Sequence, residues 1–517
     1  MMLFVLTLPV LFGIIGLAID RTILYLVEQK LGTAVDGAAL GAGRLLGTTA
    51  NTTEIAKEFL QANFPAHYWN STNLQLTANY SVNAGLSTIT VNASVTVPLI
   101  FLRVLHVNTA NVYANAVATR RTARTMLVLD RSGSMNTTDP ISGLNVFTEM
   151  QQGAEGFVGM FTPGVDEVGL VVLGSSALVA YPTTRPYNNS PTSSGGPDTS
   201  FDTSATSGPT ITQLQAMAAG GGTGTAEALS LAYIELQKAH HRDFAANSGI
   251  DNTQNSIVLF TDGVPDAIAV SPNSASNNSI SSSSTCTYKV GSGGTLMMGT
   301  IVTSGNAPPV GWGSPSYGLF LLTAYDATHT LTWWLQNASD NVGSGDLIQA
   351  SPATAVANCT GLAAQGLTYV SQVGINSDLS RIPPYDIYGN STSGSGYTLS
   401  TLDLQNGTST HPYASYTYNP NNVNDGNSGA IAAWNAMDNV GNTIRSQTAM
   451  NPVTIYAIGY SGDGGTDATL LKRLANTQDS TSYNASQATG VYIQVNSASQ
   501  LGAAFNDIAS QLLRLAK

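Results

Sequence analysis

Charge is scarce in this 517-residue chain: Asp, Glu, Lys and Arg together make up 10% of it, against roughly 25% in an ordinary soluble domain. Basic residues are the scarcer half, 19 Lys and Arg against 31 Asp and Glu, for a net charge of −12. Nucleic-acid binding needs a basic face, so that class is excluded. Cysteine is almost absent. The two that occur, Cys286 and Cys359, come with no CxxC or Cys/His spacing, which argues against zinc. There is no Gly-x-Ser-x-Gly elbow, no His-Glu-x-x-His and no Gly-x-x-x-x-Gly-Lys phosphate loop, and none of the six histidines sits in a catalytic motif. The chain therefore reads as a non-enzyme. Asn, Ser, Thr, Gly and Ala take the place of charge, a surface style of exported proteins, around a hydrophobic fraction of 43% that is ample for a core.

Charge is missing altogether from residues 1–19, which are interrupted only by Thr7, Pro9, Gly13 and Gly16. Such a stretch, rising ~1.5 Å per residue, nearly crosses a bilayer core, so a single transmembrane helix is expected there. No basic region leads it and no small-x-small site follows, which disfavours a cleaved signal peptide. Apolar and small residues keep helical spacing to about residue 48, and Gly37-x-x-x-Gly41 offers a face that another helix could approach. The run LPVLFGIIGLAID, followed by Ala34-Val35-Asp36-Gly37-Ala38-Ala39-Leu40, resembles the N-terminal segment of the TadE/TadG-like family of tight-adherence (Flp) pilus assembly proteins. The resemblance implies a single-pass protein of the bacterial inner membrane. Its bulk would be periplasmic or extracellular, and its partners pilus or envelope components.

The chemistry is concentrated in Asp130-Arg131-Ser132-Gly133-Ser134, which follows the apolar run Met126-Leu127-Val128-Leu129. One carboxylate and two hydroxyls spaced two apart, on a turn beyond a buried strand, form an oxygen-lined bowl. That ligand type suits a hard divalent cation, Mg²⁺ first, with Mn²⁺ or Ca²⁺ as the other candidates. Gly220-Gly221-Gly222-Thr223 adds a hydroxyl on a glycine loop, and Ile257-Val258-Leu259-Phe260-Thr261-Asp262-Gly263 is a second buried strand ending in a carboxylate. This order resembles the metal-ion-dependent adhesion site (MIDAS) of von Willebrand factor type A domains. The resemblance implies that Asp130, Ser132, Ser134, Thr223 and Asp262 hold the ion, the two carboxylates directly or through water. Three of the five are neutral, so the cation would stay electrophilic enough to take a carboxylate from a protein partner. A metal-dependent hydrolase or an ATPase-accessory protein of the cell envelope is the alternative. It requires a general base near the bowl, and none can be assigned.

Patterning fixes the rest of the expected architecture. Leu144, Phe147, Ala154, Phe157, Val158 and Phe161 recur at helical spacing, and 225–240 and 498–515 read as further helices. Residues 168–173, 177–181, 453–458 and 491–495 read as strands, and Asp467 as a helix cap. Strands alternating with helices predict an α/β fold of von Willebrand type A: a mostly parallel sheet with one antiparallel edge strand and helices on both faces. Expected domains are a membrane and continuing helix over 1–48, a small α+β module over 49–122, the type A domain over 123–265 and 428–517, and an inserted, mainly β subdomain over 266–427. Arg120, Arg121 and Arg124 read as a solvated linker, and His240 and His241 as the end of a helix. The insertion leaves from the carboxyl end of the Asp262 strand, so it is expected to wall the bowl, whereas 182–210 reads as a spacer on the opposite face. In an oxidising periplasm Cys286 and Cys359 could pair, stabilising the insertion by roughly 4 kcal/mol; two free thiols are the alternative.

Overall fold

A computed structural model describes residues 2–44, 51–182, 201–204, 207–270, 286–290, 294–298, 318–321, 332–336, 342–343, 347–349, 382, 385–386, 388–394, 418–420, 426–462 and 466–513. Two compact units divide it: Met1–Thr122 with Thr162–Val165 and Leu513–Lys517, and Ala123–Phe161 with Asp166–Leu512.

The first unit is built on one long helix. α1 (Met2–Arg44) and α2 (Thr52–Asn63) cover an antiparallel sheet of β1 (Thr72–Asn83), β2 (Leu86–Pro98) and β3 (Thr109–Arg121), with β2 in the middle. Period-two alternation puts Ile89, Val91, Ala93, Val95 and Val97 of β2 on one face, where they share a core with Val27, Leu31, Val35 and Ala38 of α1. α1 thus buries a stripe against the sheet, although the sequence marks it off as a separate segment. The Asn51 side chain caps α2 by accepting from the Thr53 N–H at 3.1 Å.

Among the described residues no helix is long and apolar enough to cross a membrane. The side chains of residues 1–12, most of the run behind the expected span, lie outside that description.

The first charge of α1 is buried. Asp20 is 1% exposed, and its carboxylate accepts backbone N–H groups from Ile100 at 2.9 Å, Phe101 at 3.0 Å and Leu102 at 2.8 Å. It thereby clamps the β2–β3 connection to the helix. Asp20→Ala is expected to lower the stability of this unit by about 2–4 kcal/mol, since three donors lose a charged acceptor. Chemical denaturation would measure it, and a loss under 0.5 kcal/mol, the scatter of a neutral surface change, would show that water replaces the carboxylate freely.

The second unit carries a six-stranded sheet of β4 (Ala123–Asp130), β5 (Glu167–Leu173), β6 (Ala177–Tyr181), β7 (Gln254–Thr261) and two later strands. After β7 come β8 (Ala267–Val270), β9 (Cys286–Val290), β10 (Gly294–Met298), β11 (Gly318–Leu321), β12 (Thr332–Gln336) and β13 (Leu347–Gln349). The main sheet then resumes with β14 (Val453–Tyr460) and β15 (Tyr492–Val495). Its order is β15-β14-β7-β4-β5-β6, parallel throughout except for β6, which runs antiparallel at the edge as the sequence predicts. Central strands of near-continuous apolar residues result because both faces are covered.

Further helices are α3 (Val146–Gly159), α4 (Pro209–Ala216), α5 (Thr225–Ala246), α6 (Gly426–Ser446), α7 (Ala468–Ala475) and α8 (Leu501–Leu512). Met126, Val128, Ile257 and Leu259 meet Leu229, Ala232 and Trp434 in one core layer. On the other face Phe505 of α8 lies 6.1 Å from both Phe157 and Phe260. Asp467 caps α7 as expected, accepting from the N–H groups of Thr469 and Leu470.

Three local expectations need correction. α4 was not foreseen; Asp202, beyond the undescribed residues of the 182–210 stretch, accepts the Thr210 N–H at 2.9 Å within its first turn. His240 does not end α5, which continues to Ala246; its Nδ1 lies 2.7 Å from Asp251. Arg124 is no linker residue. It is fully buried, because parallel pairing sets it beside Glu167 on β5 and Asn255 on β7. Its guanidinium bonds to Glu167 and Asp243, reaches Thr253 at 3.1 Å and approaches Asp251 at 3.6 Å.

Within the insertion, β8, β11, β12 and β13 form an antiparallel sheet in the order β13-β12-β11-β8, and β9 pairs with β10. Cys286 opens β9, but Cys359 and any pairing between them lie outside the described residues.

Candidate metal centre

β4 ends at Asp130 and β7 at Thr261, side by side in register, so the two strands deliver their last side chains to one rim of the sheet. Brought to the carboxyl edge of a parallel sheet, polar side chains face the crevice where ligands of such folds bind. Thr261 Oγ1 donates to Asp130 Oδ2 at 2.6 Å, and the Ser132 N–H donates to Asp130 Oδ1 at 2.7 Å. Asp130 thereby shapes the turn that carries the two serines. Burial pushes its carboxyl up to about 6, against the pull of the Thr261 and Ser132 hydrogen bonds.

Asp262 completes the bowl from the next strand. Ser134 Oγ lies 2.9 Å from Asp262 Oδ1, Ser132 Oγ lies 3.2 Å from the same oxygen, and the two hydroxyls are 2.9 Å apart. These are hydrogen-bond separations, and the oxygens they gather, two hydroxyls and a carboxylate, are the donor chemistry that a hard divalent cation takes. Ser132 and Asp262 are buried and Ser134 is exposed, so the bowl opens on the Ser134 side.

The glycine loop is drawn in by backbone bonds. Gly133 N–H donates to the Gly221 carbonyl at 2.9 Å, and Gly220 N–H to the Arg131 carbonyl at 2.6 Å. Thr223 follows, buried against the end of β7: a Cβ placed on Gly263 would stand 3.0 Å from its Oγ1. Among the described residues no hydrogen bond joins Thr223 to the serines or Asp262.

Three supporting residues escaped the sequence reading. Asp266 accepts the Thr223 N–H at 2.6 Å and returns its own N–H to the Thr223 carbonyl at 3.1 Å, latching the loop. Ser175, on the β5–β6 turn, accepts the Gly222 N–H at 2.6 Å. Asp139 anchors the loop after the serines: it takes hydroxyl bonds from Ser142, from Tyr460 at 2.8 Å and from Ser497 at 2.9 Å. Only the position of Asp266, four residues past Asp262, could have drawn attention beforehand. The others act across the sheet.

Burial would raise the Asp139 carboxyl, yet those bonds hold it well below the usual carboxylate range. A lowered value in the fold means stability that is present above the ordinary carboxylate value near 4 and is lost as pH falls below it. Asp139→Asn is expected to flatten the acid limb of a pH–stability curve, which urea denaturation between pH 6 and pH 3 would read. An unchanged acid limb would mean that Asp139 contributes nothing to it.

Among the described residues there is no group of three or more His, Cys, Asp or Glu side chains able to hold a metal. The bowl instead combines two carboxylates with hydroxyls. The insertion reaches its neighbourhood: the Val342 carbonyl accepts the Ala218 N–H at 2.8 Å, two residues before Gly220.

Residues 125–264, which include all five expected ligands, match the family model of the von Willebrand factor type A domain. The chain carries a von Willebrand factor type A domain. Residues 1–45 match the TadE/G-like family described for Flp pilus assembly. No curated protein matches the sequence. Among solved structures, the chain is similar to the pilus adhesin SpaC from Lactobacillus rhamnosus GG, at 13% identity and TM-score 0.30, over 85% of this chain and 34% of that one. It is also similar to the PilB minor pilin from Streptococcus sanguinis, at 13% identity and TM-score 0.32, over 85% and 78%. The vWF domain of the type V pili tip protein Mfa5 from Porphyromonas gingivalis gives 15% identity and TM-score 0.29, over 77% and 97%. This chain thus spans about a third of the length of SpaC. The type A assignment rests on the family model and the sheet order, not on these distant likenesses.

Proposed function

We propose that this protein is a non-catalytic, metal-dependent binding component of a bacterial Flp-type pilus or secretion system, anchored in the inner membrane by residues 1–19. The type A domain would hold Mg²⁺ through Asp130, Ser132, Ser134, Thr223 and Asp262 and present it to a partner's exposed carboxylate. The observation that carries the reading is the triangle of Ser132, Ser134 and Asp262 oxygens, with edges of 2.9 to 3.2 Å, at the carboxyl rim of the sheet. The TadE/G-like match of residues 1–45 supports the envelope setting.

When bound, the ion would supply a Lewis-acidic centre that accepts one carboxylate oxygen. The chain's own residues do the positioning. Asp130 holds the serine turn through the Ser132 N–H, and Thr261 holds Asp130. Asp266 fixes the backbone of Thr223. Exposure of Ser134 leaves a partner room to approach.

Cross-linking in bacterial envelopes tests the reading. Wild-type protein should retain a partner in Mg²⁺ or Mn²⁺ and release it in EDTA, and Asp130→Ala should fail to retain it in either. Partner capture indifferent to both EDTA and Asp130→Ala would sink the metal-dependent reading.

A further inference from the structure

The membrane anchor proposed above has a companion on the first unit. α1 leaves its sheet with Ile14 and Leu17 exposed at 63% and 53%. Beside it the β2–β3 connection exposes Ile100, Phe101, Val104 and Val107, Val104 at 81%. Large apolar side chains this exposed, gathered in one patch, mark a contact surface.

Two observations hold the connection against the helix at this level. Asp20 clamps the N–H groups of Ile100, Phe101 and Leu102. Gly16 lets the Phe101 side chain close in, since an added Cβ would stand 2.6 Å from it. Trp69 and Ile100 line a groove along α1 with Ile15 and Ile19.

The chemistry of the patch selects its occupant. It continues, on the same helix, the uncharged run of residues 1–19. The one acid at its level, Asp20, is buried with its carboxylate bonded to backbone, while Arg21 and Arg103 are exposed. No Asp or Glu occurs between Glu58 and Asp130, in a chain whose net charge is −12. Exposed Trp, apolar wedges and arginines without acids are the residue types that settle at the headgroup–acyl boundary of an anionic bilayer.

We infer that the β2–β3 connection, centred on Phe101 and Val104, is a second membrane contact that seats the first unit on the lipid surface beside α1. The turn between β1 and β2 then points away from the bilayer. β2 separates the two ends by 13 residues, about 40 Å of strand.

The inference rests on the anchor reading, and one experiment separates them. Full-length protein carrying Cys286→Ser and Cys359→Ser receives a single cysteine at Leu6, Val104 or Val82, labelled with an environment-sensitive fluorophore. It is reconstituted in phosphatidylethanolamine–phosphatidylglycerol vesicles containing a spin-labelled lipid. Val104 and Val82 are both strongly exposed, so neither substitution threatens the fold. Lipid quenching several-fold stronger at Val104→Cys than at Val82→Cys, together with quenching at Leu6→Cys, is the expected result. Quenching at Leu6→Cys but not at Val104→Cys overturns the seat and leaves the anchor standing. A Val104→Cys probe that is shielded from water yet not quenched by lipid means that protein covers the patch, which also overturns it. No quenching at Leu6→Cys overturns the anchor, and the seat with it.

Discussion

Arg124→Ala is expected to destabilise the type A domain by about 3–5 kcal/mol, the cost of leaving buried charge without its counterion. Arg124 is fully buried and bonds to both Glu167 and Asp243, with Asp251 at 3.6 Å. A second arginine, Arg242, reaches Glu167 at 2.7 Å and Asp243 at 2.7 Å, but it is partly exposed. It cannot replace a cation at the base of β4. Guanidinium denaturation followed by circular dichroism would give the difference, and a loss below 1 kcal/mol would mean that the carboxylates rearrange into water at little cost.

The same network has a pH signature. Burial would raise Asp243, but Arg242 and Arg124 outweigh it and leave the carboxyl lowered. The contribution is therefore present above the ordinary carboxylate value and lost as pH falls below it, and it should shrink in Arg124→Ala, where Arg242 alone still holds Asp243.

Mg²⁺ is expected to raise the unfolding free energy of wild-type protein by about 2.7 kcal/mol at a concentration one hundred times its dissociation constant. EDTA should reverse the effect, and Asp130→Ala should abolish it. Ser134→Ala should weaken it, because that hydroxyl forms two edges of the oxygen triangle. Mn²⁺ and Ca²⁺, which also take oxygen ligands, should protect only the protein that keeps Asp130. Thermal or chemical unfolding in each metal checks this directly. Equal protection of wild type and Asp130→Ala would place the ion elsewhere.

Much of the fold was legible because periodicity and burial coincide. Val128, Leu129, Val258 and Leu259 read as central strands since apolar residues on consecutive positions fit only a sheet covered on both faces. The hairpin of β1 and β2 was legible for the opposite reason, strict alternation about Asn83-Ala84-Gly85. α4 was missed because residues 209–216 are short and open on proline, with too few turns for a period to emerge. Arg124 was misread because a charged residue in a linker-like stretch looks solvated until the partners of its strand are known.

The sequence by itself determined which oxygen-bearing side chains stand at strand ends, since a buried strand followed by Asp-x-Ser-x-Ser or Thr-Asp-Gly leaves those groups nowhere but the rim. It also determined the uncharged start of α1. Tertiary structure alone decided that Ser132, Ser134 and Asp262 meet within 3.2 Å, that Asp266 and Asp139 brace the loops around them, and that Arg124 is buried among carboxylates. The first of those meetings depends on parallel register between β4 and β7, whose ends lie more than a hundred residues apart in the chain, and local pattern carries no information about register at that distance.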